Sequence, residues 1–168
     1  MNKSNHFVGF FVRLSAMKEL NLPGIDLRIR NKEGRQEVFD VVRKRHVRLT
    51  AEEWVRQHFL HFMINQKKVP LSLIAVETSI KYNNLSKRCD IVVYNRNGKP
   101  ALVVECKAPE IEISQEVFNQ VAMYNMTLKV KFLVVTNGLK HYSCAIDHEK
   151  GSFLFLKDIP DFDELNRN

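Results

Sequence analysis

Cysteine is scarce, and its placement is uninformative for cross-linking: Cys89, Cys106 and Cys144 are odd in number, sit inside apolar runs and form no CxxC. That excludes a disulfide framework and a cysteine-based zinc site, and leaves three buried, reduced thiols of the kind expected in the cytoplasm. Glycine (6) and proline (5) are sparse and no low-complexity tract interrupts the 168 residues, which argues against wholesale disorder. No apolar run approaches the roughly 18 residues that a membrane span requires, so no membrane partner is expected. Residues 1–16 loosely imitate a signal peptide (Lys3, then Phe7 to Val12, then Ser15-Ala16), but the apolar stretch is short and Arg13 follows at once. They read as an extension of uncertain status, with Met17 a candidate start and 17–168 a single domain.

What is present is hydrophobic content of 45%, enough for a sizeable core, and a net charge of +7, which favours a polyanionic partner without specifying a mechanism. Alternation over Ile25 to Arg30 predicts a short strand, and Val38 to Val42 another, leading into the basic run Arg43 to Arg48. That run reads equally as a solvated face or as a phosphate contact. Thr50 followed three residues later by Glu53 is a capping box opening a helix that ends near Gln66, with Ala51, Val55, Phe59, Phe62 and Met63 on one face. A strand is expected over Leu73 to Ile80, a second helix over Ser114 to Leu128, a buried strand over Lys131 to Thr136, and a closing hairpin over His141 to Ile146 and Ser152 to Leu156.

The stretch KRCDIVVYNRNGKPALVVECK carries the chemistry. Asn97-Gly98 signals a hairpin, because both central residues of a type I′ turn need positive φ. With those two residues as the loop, Arg96 faces Lys99, Val92 faces Val103, and Asp90 lies directly opposite Glu105. Opposed Cβ atoms are about 5 Å apart, so two like charges there repel. Lys107, two residues beyond Glu105, points to the same face. The opposite face carries Cys89, Ile91, Val93, Leu102, Val104 and Cys106.

Three explanations compete: a buried ion triad, charges at a solvent edge, and a divalent cation held between the carboxylates. The third is preferred. A cation between two carboxylates activates water and stabilises charge developing on a phosphate, while a neighbouring lysine orients that water or neutralises the phosphorane.

At these residues the chain resembles the PD-(D/E)xK nuclease superfamily, and more closely the N-terminal nuclease domain of type I restriction enzyme R subunits in a short stand-alone form. The matching pieces are LTAEEWVRQHFLHFM, KRCDIVVYNRNGKPALVVECKAPE, QEVFNQVAMYN and KFLVVTNGLKHY. The resemblance implies an α/β, restriction-endonuclease-like mixed β-sheet flanked by helices, with core order α-β-β-β-α-β. It implies that Asp90, Glu105 and the Cys106 carbonyl bind Mg2+ (Mn2+ substituting), that Lys107 is the catalytic lysine, and that Gln120 and Tyr124 form an accessory motif. The proline usual before the first acid is replaced by Cys89.

Members also place a helix glutamate near the metal. Glu52, three residues before Val55, is chosen over Glu53, which the capping box accounts for. Lys87 and Arg88 are candidate phosphate contacts. The expected function is Mg2+-dependent hydrolysis of DNA phosphodiesters in restriction or repair, by a homodimer or with a recognition or motor subunit. A non-cleaving nucleic-acid-binding or assembly module is the alternative.

Overall fold

The structure is a computed structural model that describes residues 17–82, 85–126 and 129–167. It opens with a three-stranded antiparallel sheet of β1 (Ile29–Lys32), β2 (Arg35–Asp40) and β3 (Arg45–Arg48). Helix α1 (Ala51–Asn65) follows. Next come β4 (Ile74–Tyr82), β5 (Leu85–Tyr94), β6 (Pro100–Cys106), α2 (Gln115–Met126), β7 (Phe132–Thr136), β8 (His141–Asp147), β9 (Ser152–Phe155) and α3 (Phe162–Leu165). From α1 to β7 the order is α-β-β-β-α-β, as expected.

Strands β4 to β9 form one six-stranded sheet in chain order. Every neighbouring pair is antiparallel except β6 and β7, which run parallel. Parallel neighbours need a crossover, and α2 supplies it. The fold is therefore a mixed α/β sheet flanked by helices. On one face Val55, Phe59, Leu60 and Met63 of α1 pack on Ile91, Val93, Leu102, Val104 and Val134. On the other, Phe118 and Ala122 of α2 pack on Val92, Val103, Leu133 and Val135. The central strands are thus covered on both sides, which explains why β5, β6 and β7 read as nearly continuous apolar runs.

Helix α1 is capped as its sequence predicts, the Glu53 N–H donating to Thr50 Oγ1 at 3.1 Å. The reciprocal half of the box is replaced: the Glu53 carboxylate turns inward to Arg43, Arg56 and Gln57. Helix α2 buries Phe118, Ala122 and Asn125 and leaves Val117 and Val121 half-buried, while Leu128, the end of the expected helix, lies outside the described residues. The cause is Phe118, whose ring meets those of Tyr142, Phe153 and Phe155 on the closing hairpin. The first strand begins at Ile29, later than the alternation predicts, and its ladder runs from Ile29 opposite Val38 to Lys32 opposite Arg35. The basic run is β3 and its preceding turn rather than a linker.

Candidate active site

The hairpin reaches the expected register by an unexpected route. Asn95 accepts from the N–H groups of Asn97 and Lys99 through its side-chain oxygen, and Asn95 pairs through its backbone with Lys99. Only Gly98 has positive φ (71°), so the loop holds three residues, not two. Tyr94 accordingly faces Pro100, but the register shifts next to it and Val93 faces Leu102. Ala101 is the extra residue, a β-bulge. From there Val92 faces Val103 and Ile91 faces Val104, the pairing that the hairpin arithmetic requires.

Strand alternation breaks at Asp90. Cys89 packs with Val92 and Val103 on the α2 side, not with Ile91 and Val93 as strict alternation predicts. On β4 the ladder pairs Val76 with Ile91 and Thr78 with Cys89, and Glu77 between them has φ of 49°. A left-handed glutamate inside a strand is costly and persists only where its surroundings hold it. Here the holding groups are Arg43 Nη1 at 2.7 Å and Arg88 Nη2 at 3.2 Å from Glu77 Oε2.

The break lets Asp90 reach α1. Its Oδ1 accepts from Arg56 Nη2 at 3.0 Å, while Oδ2 accepts from the Cys106 N–H at 2.8 Å. The same Nη2 lies 3.2 Å from Glu52 Oε1, so one guanidinium nitrogen joins the helix acid to the strand acid. Lys107 Nζ donates to Glu105 Oε1 at 2.9 Å. Backbone pairing fixes the base of that lysine, its N–H donating to Thr136 O on β7 at 2.8 Å.

The electrostatics are those of crowded acids. Burial and then the Asp90 charge push the Glu52 carboxyl above its ordinary range, against the pull of Arg56 and Lys107. Burial works against the Lys107 ammonium, but the hydrogen bond and charge of Glu105, with Asp90 and Glu52, hold it charged above the usual lysine value. Burial drives the Cys106 thiol well up, so it is inert as a nucleophile.

Asp90, Glu105, Lys107 and Glu52 are thus brought into one electrostatically coupled group, with the Cys106 backbone tied to Asp90. Gln120 is exposed on α2 and takes no part in the described hydrogen bonds of the group. Tyr124 is in α2 and Lys87 in β5, but both side chains lie outside the described residues. Arg88 is exposed and faces Glu77. The cap does not account for the Glu53 side chain, which meets Arg43, Arg56 and Gln57. Glu53 is the more deeply buried of the two helix acids, whereas Glu52 lies at the rim.

Sequence reasoning passed over Arg56, whose side chain is 5% exposed and meets Glu52, Glu53, Glu77 and Asp90. Its spacing from Glu52 and Glu53, four and three residues along a helix, was the available signal. It also passed over Arg43, which binds Asp40, Glu53 and Glu77 and so anchors the small sheet to the site.

The family model for the type I restriction enzyme R protein N terminus matches residues 51–160. The chain belongs to that family. The match starts at the first residue of α1 and covers the six-stranded sheet, so it includes Glu52, Arg56, Asp90, Glu105 and Lys107 and leaves out β1 to β3. Among solved structures, the chain is similar to a fragment described as an HsdR subunit of a type I restriction enzyme from Vibrio vulnificus. The likeness has 23% identity and a TM-score of 0.42, covering 66% of this chain and 24% of that one. The chain therefore spans about a quarter of that relative. No curated protein matches.

The donors suit a hard cation, since all are carboxylate oxygens, and burial followed by the Asp90 charge raises Glu52. Among the described residues no group of three His, Cys, Asp or Glu side chains is arranged to hold a metal ion. Among the described helices none is long and apolar enough to cross a membrane.

Proposed function

We propose that the chain is a Mg2+-dependent nuclease that hydrolyses phosphodiester bonds of DNA, in keeping with a family of restriction enzyme subunits. The observation that carries this reading is the convergence of Asp90, Glu105 and Glu52 on Lys107, in a setting where burial and the neighbouring acid already raise a carboxyl. Asp90 and Glu105, with the Cys106 carbonyl, would hold the metal, which when bound supplies Lewis-acid stabilisation of phosphate charge. Lys107, kept protonated by its acid neighbours, donates to the oxygen on which that charge builds. Glu52 stands at the rim as a further cation ligand or proton acceptor. Arg56 fixes Asp90 from one side and the Cys106 N–H from the other, so the carboxylate needs little reorganisation to bind. Gln120, Tyr124, Lys87 and Arg88 are assigned to the nucleic-acid strand around this centre. Recognition or motor functions belong to partner subunits or a second copy.

A non-cleaving, nucleic-acid-binding or assembly module is the second reading. One observation favours it: both Asp90 oxygens already have partners within the chain, as in a self-sufficient ion cluster. Melting with and without Mg2+ or Mn2+, together with cleavage of supercoiled plasmid, linear duplex and single strands, separates the two. The nuclease reading expects a metal-dependent rise in Tm and cleavage, both lost in Asp90→Ala. Cleavage by Asp90→Ala at the wild-type rate sinks it.

A further inference from the structure

The excess positive charge is concentrated outside the family-matched region. Residues 28–48 contain eight basic and three acidic residues, a net +5 of the +7 carried by the whole chain. The β1–β3 register sorts them. Ile29, Val38 and Val47 are paired across the three strands and turn toward the protein, Val38 being fully buried. The alternate positions form the outer face, where Arg28, Arg30, Lys32, Arg35 and Arg48 are all exposed. Contacts confirm that these positions share a side. The Arg28 guanidinium lies 4.0 Å from the Phe39 ring centre, Arg30 pairs with Glu37, and His46 meets Phe39 edge-on at 5.3 Å.

Lys32 and Arg35 are directly opposed, an arrangement of like charges that a sheet does not favour for its own stability. Glu37 is the single acid of the face, and Arg30 already engages it. We propose that this outer face of the small sheet is a docking surface for the phosphate backbone of a nucleic-acid duplex. Single-stranded partners are bound chiefly by stacking bases on open aromatic rings. The one aromatic here, Phe39, is already covered by Arg28 and flanked by His46, so charge alone is on offer. A rigid array of separated cations without an open ring fits the regular phosphates of a duplex. The inference does not depend on whether the chain cuts.

The test is fluorescence anisotropy of the full chain with a short labelled DNA duplex in EDTA, over a salt series. Two variants, Arg35→Ala/Arg48→Ala and Lys32→Ala/Arg35→Ala, each remove two charges from the face. Lys150→Ala/Lys157→Ala removes two exposed charges elsewhere. The expected result is at least a roughly tenfold weaker Kd for a face variant that keeps the wild-type Tm. Its salt slope should also be shallower by nearly two, at about 0.9 per lost phosphate contact. Control affinity should stay near wild type. Equal weakening by control and face variants, an unchanged slope, or tighter binding to a single strand or a polyglutamate peptide would overturn the assignment. Because no metal is present, the outcome is separate from that of the cleavage assay.

Discussion

Arg56 Nη2 donates to Asp90 Oδ1 at 3.0 Å from a helix on one face of the sheet, and the acid it meets stands on a central strand. The bond exists because β5 breaks its alternation at this residue, and it makes a buried arginine the link between every acid of the centre except Glu105. Arg56 is also bound by Glu53, itself buried, and the acids around it raise the guanidinium pKa against the opposing effect of burial.

Removing that cation leaves Glu53 and Asp90 without their closest countercharge. Arg56→Met should therefore cost about 3–5 kcal/mol, the range for breaking a buried pair from one side. Arg56→Lys keeps the charge but not the planar fork, and should lose the simultaneous contact with Glu52 and Asp90. Urea unfolding of both variants measures the first effect. Metal-dependent melting of Arg56→Lys at matched folding measures the second.

The neighbouring helix acids should behave oppositely. Glu53→Gln removes a countercharge from both Arg43 and Arg56 and lowers stability. Glu52 has a folded pKa raised above its ordinary 4.5, so its stability contribution is full below that value and is lost as pH rises through the folded pKa. At neutral pH the ionised group is a burden, and Glu52→Gln should raise Tm at pH 7 with no gain at pH 4. Differential scanning at the two pH values decides it.

Acid sensitivity should start near neutrality. Burial lowers the ring pKa values of His58, His61 and His141 below the ordinary 6.5. These groups contribute stability above that value, and it is lost as pH falls toward their folded pKa values. Denaturation midpoints should drop between pH 7.5 and 5.5, and His58→Gln, at a ring tied to Trp54 O, should shallow the drop.

Gly138 is held by geometry as well as by conformation. Its φ is +80°, and a Cβ added there would meet Leu20 Cδ2 at 2.7 Å and Val55 at 3.2 Å. Gly138→Ala should destabilise by more than about 1 kcal/mol. It should also disturb the Asn21 N–H bond to Gly138 O, read as faster amide exchange at Asn21.

Much of this was legible in the chain. The Thr50 cap, the apolar face of α1 and the order of the main sheet follow from local signals, because burial on both faces leaves little choice of period for strands such as Phe132–Thr136. The register of the hairpin, Val92 against Val103, was also legible, yet by compensating departures: the loop is one residue longer than an Asn-Gly turn implies, and Ala101 absorbs the difference. What was not legible is long-range. The cap accounts for the Glu53 backbone alone, while its carboxylate answers to Arg43 ten residues earlier in sequence. Phe118 is buried on α2 because aromatic partners arrive from β8 and β9, far along the chain.

The bulge at Ala101 has a consequence for how the hairpin tolerates change. Were Val93 to pair with Ala101 instead of Leu102, Asp90 would confront Val104, and Glu105 would swing through the plane of the strands to the reverse side. Loop length and strand irregularity are therefore coupled: a deletion within Arg96–Gly98 that slips the pairing by one residue keeps Val93 opposite Leu102 only with a matching change at Ala101.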